Sequence, residues 1–276
     1  MKIIKRFFKN RNFTIGFIIF SIIILAAIFA DVIAPYTFQE IDMANSLQPP
    51  SRAHLFGTDN LGRDVFSRVI YGSRIALRTA FLITIIQMCI GSVIGMTAGY
   101  FGGIWDTITN IIINILLSIP GIIIAIGIIS VIGPSLNNVV ISLALVRWTG
   151  LARVIRAKTQ SFKNYPFVES GRAIRESHFS LIFRYLLPNI VPTIIVMMTL
   201  AVPYALLSSS ALSFLQLGAQ PPSPDWGAIL MNGKSYMMMA PWIAIFPGLI
   251  LMLTAYGLSM MGEGFRVVID PKIENK

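Results

Sequence analysis

The sequence predicts an all-α membrane protein with six transmembrane helices. Composition and pattern both point there. Of 276 residues, 55% are hydrophobic and 12% charged, against roughly 25% charged in soluble domains. Mean hydropathy is +0.74. Six apolar runs reach the length that crosses a bilayer, near residues 13–34, 79–100, 109–132, 137–155, 188–208 and 241–262. None alternates with period two, so a spanning β-barrel does not compete.

The first run follows Lys2, Lys5, Arg6, Lys9 and Arg11. Such a basic start also opens a secretory signal peptide, but this run is too long for a signal core and no A-x-A site closes it. An uncleaved first span is expected. The remaining runs are interrupted by Gly91, Gly95, Pro120, Gly121, Pro203, Pro247, Gly248 and Gly257. These residues permit close helix approach and kinks; ordinary packing and a bundle that must flex both fit. The chain divides into 1–73 (tail, first span and hydrophilic segment), 74–263 (five further spans) and a 264–276 tail.

Orientation follows from the basic residues. With the N-terminus in the cytoplasm, six spans return the C-terminus there. The N-terminal tail and segment 147–185, with Asp106, then carry the net charge of +10 inside, while the outer segments, 35–78 taken with Asp31 at the span end and 209–240, are each balanced. No nucleic-acid partner is expected from so apolar a chain; membrane lipid is.

Catalytic chemistry finds no foothold. One cysteine, Cys89, rules out a disulfide scaffold and a cysteine-based zinc site, and His54 and His178 are far apart. No metal site and no catalytic residue is expected. Gly227–Ser235 approaches a phosphate loop but has five spacers where four are needed. No chain of carboxylates or histidines runs through the spans, so a proton relay is unsupported. Asn110 and Asn114 share a face of the third span, either hydrogen-bonding between helices or lining a polar path. Arg147 either snorkels to the inner interface or belongs to that path. Met237, Met238 and Met239 pack before the last span or offer soft-metal contacts.

The inner loop reads Phe167-Val-Glu169-Ser170-Gly171-Arg172-Ala-Ile174-Arg175-Glu-Ser-His178. Phe167, Gly171, Ile174 and His178 fall on one helical stripe, with Glu169 near the start and Arg175 near the end as the helix dipole prefers. A surface connector and a docking helix for a soluble partner both fit. In the outer segment, Gly57, Thr58, Asp59 and Gly62 predict a tight turn, then a helix capped near Asp59 or Asn60. Its charges, with Arg63, Asp64, Arg68 and Arg74, either pair internally or brace another protein.

The inner loop resembles the EAA motif of binding-protein-dependent ABC importer permeases: E-A-A, three residues, G, nine residues, I-x-L-P. Glu169-Ser170-Gly171 stands for E-A-A and Leu187-Pro188 for L-P. His54–Arg74 is similar to the signature after the first span of "C"-type subunits in the dipeptide/oligopeptide/nickel permeases. Ala211–Gly227 resembles a second signature of that family; Ala98–Gly103, Trp148 with Ala152-Arg153, and Asp270-Pro271 fit as well. The chain departs at Arg175 (the motif's glycine), Tyr185 (its isoleucine), Ile111 and Asn114 (an Arg and an Asp in relatives), and Ser209 (a Glu).

The resemblance implies a type I ABC importer permease fold with a cytoplasmic coupling helix at 165–178, in a prokaryotic cytoplasmic membrane. It implies a homologous second permease, two cytoplasmic ATPase subunits and an extracytoplasmic substrate-binding protein as partners. ATP and Mg would be used by the ATPases, and this chain would bind no cofactor. Glu169 and Arg172 would offer polar contacts to an ATPase, with Phe167, Gly171 and Ile174 packing; Ser170 and Arg175 belong to the same coupling set, Arg175 as a departure that alters how the loop meets the ATPase. Di- or oligopeptides are the expected cargo, with nickel or a metal chelate as the alternative. A self-sufficient channel or secondary transporter is the rival of a different class.

Overall fold

The computed structural model describes residues 2–269. The Asp270-Pro271 pair lies outside them. The described residues are almost entirely helical. In order come α1 (Lys2–Lys9), α2 (Arg11–Ile28), α3 (Ala30–Ile33), a 3-10 turn (Met43–Asn45), α4 (Val65–Phe101), α5 (Gly103–Ser118) and α6 (Gly121–Ile132). Then follow α7 (Leu136–Phe162), α8 (Pro166–Ala173), α9 (His178–Ser180), a π-helical turn (Leu181–Leu186), α10 (Leu187–Phe214), α11 (Trp226–Ser235) and α12 (Trp242–Ile269). Among the described residues, five helices are long and apolar enough to cross a membrane, or six spans if α5 and α6 count as one.

Several helices differ from the expected bounds, α10 running on to Phe214 and α12 to Ile269. α4 has 37 residues, about 55 Å at 1.5 Å per residue, well beyond the roughly 30 Å hydrocarbon core. It begins at Val65 instead of 79 because Ser67, Arg68 and Ser73 are buried in protein, where polar residues do not interrupt a helix. α7 likewise continues past 155 to Phe162. The run 109–132 is not one helix: α5 and α6 meet at a 90° bend. Pro120 has no N–H to donate and disfavours helical geometry at Ile119, which is extended at φ −110°, ψ 135°.

The central contact joins α4 to α7 along a ladder of glycines. A Cβ on Gly91 would sit 2.8 Å from the Trp148 carbonyl oxygen, on Gly95 2.6 Å from that of Ala152, and on Gly99 2.6 Å from that of Arg156. Glycine every fourth residue presents one bare stripe of α4, and α7 lies directly against it. In lipid, such backbone approach supplies much of the association energy, because apolar side chains gain little by leaving lipid tails. α2 packs on α12 by the same device: a Cβ on Gly16 would lie 2.5 Å from the Gly257 carbonyl oxygen. Asp106 accepts from both Arg156 Nε and, at 2.6 Å, Arg156 Nη2, tying α5 to α7.

The hydrophilic segment before α4 forms an internally paired cap. Asp59 accepts from the Leu61 and Arg63 amides at 2.9 and 3.0 Å and from Arg63 Nε at 2.7 Å. Arg68 donates to the Phe38 carbonyl at 2.9 Å. The turn forms as expected, with Gly57 and Gly62 at φ +72° and +71°. The helix cap, however, is Asp64, whose Oδ2 accepts from Ser67 N at 2.7 Å; Asp59 is spent within the turn. His54 Nδ1 lies 3.0 Å from Asp64 Oδ1. Both outer signatures converge, since fully buried Trp226 donates to the Val69 carbonyl at 2.9 Å. Burial pushes the Asp225 carboxyl up, against hydrogen bonds from Ser213 and the Ala228 and Gly227 amides.

Alanine at Gly95 is expected to lower the melting temperature in detergent. Helix propensity favours alanine there by up to ~1 kcal/mol, but overpacking against a backbone carbonyl costs about 1–3 kcal/mol. At Gly127, where nothing lies within 4 Å of an added Cβ, alanine is expected to be neutral or stabilising. Equal melting shifts for the two variants would contradict the ladder.

Candidate functional site

Two places carry functional potential: the surface loop around α8, and a cavity at the α5–α6 bend.

Tyr165 is the N-cap of α8, with Pro166 at its first position, where the fixed φ of proline suits a helix start. Its inner face is Val168 and Gly171, both buried. A Cβ on Gly171 would meet Leu181 Cδ2 at 2.7 Å, so this glycine admits side chains of its own chain and not another backbone. Glu169, Ser170, Arg172, Ile174 and Arg175 are exposed, and Phe167 is half-buried. Arg172 also lies over the Tyr100 ring, 5.9 Å from its centroid.

The expected stripe from Phe167 to His178 is cut. α8 ends at Ala173, and Arg175 takes φ +58°. The Glu176 amide bonds the Gly171 carbonyl at 3.0 Å and the Arg175 amide bonds that of Arg172 at 2.9 Å. This is a Schellman ending, whose left-handed residue is usually glycine. The motif read from the sequence has glycine at this same position. His178 starts a separate turn capped by Ser177, 3.2 Å from the Ser180 amide, and its Nδ1 lies 2.8 Å from Tyr100 Oη.

A clamp closes behind the turn. Glu176 accepts from the Tyr185 hydroxyl at 2.8 Å and from the Ser180 hydroxyl. Hydrogen bonds from Ser180, then Tyr185, hold its carboxyl below the ordinary carboxylate range. The clamp is therefore in place at neutral pH and is lost as pH falls through that lowered value. Tyr185, one departure from the motif, thus braces the turn in which Arg175, the other departure, sits. Neither Val168 nor Glu176 was singled out in the sequence; Val168 stands one residue off the stripe read there.

The cavity, about 470 Å³, lies beside the bend and is lined by Gln87 and Met88 of α4, Ile119–Gly121, Val146, Arg147 and Thr149 of α7, and Met197 and Tyr204 of α10. Arg147 donates through Nη2 to Ser208 Oγ at 2.7 Å, reaching across to α10 in place of snorkelling inward. Asn114 accepts from Arg153 at 2.7 Å, which is the interhelical bond. Neither Asn110 nor Asn114 lines this cavity. Gly227–Ser235 is simply part of α11. Met238 and Met239 are 96% and 73% exposed, so these two do not pack within the chain, while Met237 is about half covered. Among the described residues, no cluster of three His, Cys, Asp or Glu is placed to hold a metal.

A family model described as "binding-protein-dependent transport system inner membrane component" matches residues 91–275. The chain belongs to this family. A second model, the "N-terminal TM domain of oligopeptide transport permease C", matches residues 2–50. The chain is 38% identical over 271 residues to the dipeptide transport system permease protein DppC of Alkalihalophilus pseudofirmus, covering 98% of this chain and 89% of that protein. It is 39% identical, with the same coverage, to the glutathione transport system permease protein GsiD of Escherichia coli. Shigella boydii has a GsiD protein with the same 39% identity. This permease is thus a multi-pass, non-catalytic membrane component of a transport system.

Arg175→Gly in this permease is expected to tighten the α8 turn, since a left-handed non-glycine residue costs about 1–2 kcal/mol. Slower hydrogen exchange of the Glu176 amide is the readout; Arg175→Val is expected to speed it. Unchanged protection in both variants would contradict the turn geometry.

Proposed function

We propose that this chain is the membrane-spanning permease subunit of an ATP-driven importer of di- and oligopeptides. The observation that carries the reading is end-to-end similarity to permeases named for dipeptide and glutathione transport. Both cargoes are peptides, which favours peptide over nickel. A self-sufficient channel is disfavoured by membership of a binding-protein-dependent family.

In this reading α5 and α6 form one broken span, giving six. The N-terminus faces the cytoplasm, as the basic tail and the basic segment 147–185 favour. The chain pairs with a homologous permease, two ATPase subunits dock from the cytoplasm, and an extracytoplasmic binding protein delivers the peptide. α8 is the coupling helix. Its inner face is held by Val168 and Gly171, and its outward Glu169, Ser170, Ile174 and Arg175 are free to enter an ATPase cleft. ATP with Mg binds between the ATPases and closes them; the coupling helices approach each other, and the bundle alternates as rigid bodies. The paired outer cap of Gly57, Thr58, Asp59, Gly62, Arg63 and Asp64 provides a stiff surface on which the binding protein lands.

Glu169→Lys is expected to leave the amount of protein in the membrane unchanged and to lower peptide uptake about tenfold or more, since like-charge contacts at an interface cost several kcal/mol. Normal uptake by that variant would overturn the coupling role of α8.

A further inference from the structure

The cavity beside the bend gathers positive potential around an unsatisfied polar group. Arg147 lies eleven residues into α7, about 16 Å along it at 1.5 Å per residue and so near the middle of the span. A cation at that depth is costly and is ordinarily matched by a partner. Arg147 has one neutral partner, Ser208, and no Asp or Glu lines the cavity. Among the described residues it makes no ion pair. Gln87 faces the same cavity, is 5% exposed, and has no hydrogen-bond partner among the described residues. The third contributor is α6. Its cap residue Pro120 makes no side-chain cap bond, and although the Ile123 amide donates to the Pro120 carbonyl at 2.8 Å, the Gly121 and Ile122 amides of this 12-residue helix keep unmatched donors where Gly121 lines the cavity. A half-helix start of this kind, at mid-membrane, carries the positive end of a dipole.

We infer that this cavity is a binding site for the carboxylate end of a peptide in transit, an inference that rests on the peptide-importer reading above. Arg147 supplies a fork of donors matched to a carboxylate, and the α6 start adds backbone donors. Gln87 supplies an amide that both donates to and accepts from a peptide unit. A cavity of about 470 Å³ is within the range of small-molecule sites. The charge is thereby matched only while cargo occupies the path.

The test uses the full complex of this chain, its partner permease, the ATPases and the binding protein, reconstituted in proteoliposomes. Uptake of alanine di- and tripeptides is compared with uptake of their C-terminal amides. Only the permease is varied, so the binding protein's own preference cancels. The ratio of free-acid to amide rate is expected to fall at least about tenfold in Arg147→Gln, the scale of one charge-assisted hydrogen-bonded contact, and to stay within about threefold of wild type in Arg147→Lys. An unchanged ratio in Arg147→Gln would overturn the site, as would an anionic lipid headgroup seated there, which leaves the ratio unmoved. Loss of the partner permease from the purified Arg147→Gln complex would assign Arg147 to a subunit contact and equally overturn it. Absence of any peptide uptake by the wild-type complex would instead overturn the peptide reading on which the site rests.

Discussion

The contact on which the rest of the molecule depends is the backbone-to-backbone seam between α4 and α7. Gly91, Gly95 and Gly99 let the carbonyls of Trp148, Ala152 and Arg156 approach to distances that a methyl group would block. Hydrophobicity cannot hold two helices together in lipid, so this close packing does. Everything with functional potential hangs from the ends or sides of that pair. The N-terminal end of α4 carries the buried Asp59–Arg63 cap. Its C-terminal end presents Tyr100 to His178 and Arg172. The end of α7 leads into α8, and its middle contributes Arg147 to the cavity.

Charge is handled differently in each layer. At the cap before α4, Asp59 and Arg63 are buried together, 2.7 Å apart, with the carboxylate also accepting backbone amides, while Arg68 Nε, 3.8 Å from the same carboxylate, has no hydrogen-bond partner. At the inner end, Asp106 and Arg156 form a two-pronged pair that fastens α5. Between these layers Arg147 stands without a counter-charge, beside a helix that Pro120 has broken. The paired carboxylates Asp59 and Asp106 and the unpaired Arg147 thus lie on different parts of the bundle.

Much of this was legible in the sequence. The long helices follow from apolar runs, and the turn before α4 was announced by Gly57 and Gly62; the Ala211–Gly227 segment was read only by its resemblance to a family signature. Helix ends were harder to read. The start of α4 is hidden because Arg68 and Arg74 look like loop residues until the cap that buries or pairs them exists. The 90° bend was signalled by Pro120, yet proline in a membrane span predicts a kink as readily as a break. The stripe over Phe167–His178 failed at one residue. Periodicity carries no information on the sign of φ, and an arginine at 175 conceals the left-handed turn that a glycine would have advertised. Arg147 with Ser208, and Gln87 beside them, come from three separate helices, and no local pattern brings such residues together.

The measurement that tests the account most directly is purification of this chain from its native membrane in mild detergent, followed by assay of ATP hydrolysis in the eluate. The account predicts that a second permease and two ATPase subunits co-purify and that hydrolysis rises when peptide-loaded binding protein is added. A lone chain that conducts or exchanges cargo without any ATPase partner, reproduced across detergents, would contradict it and leave α8 a surface connector.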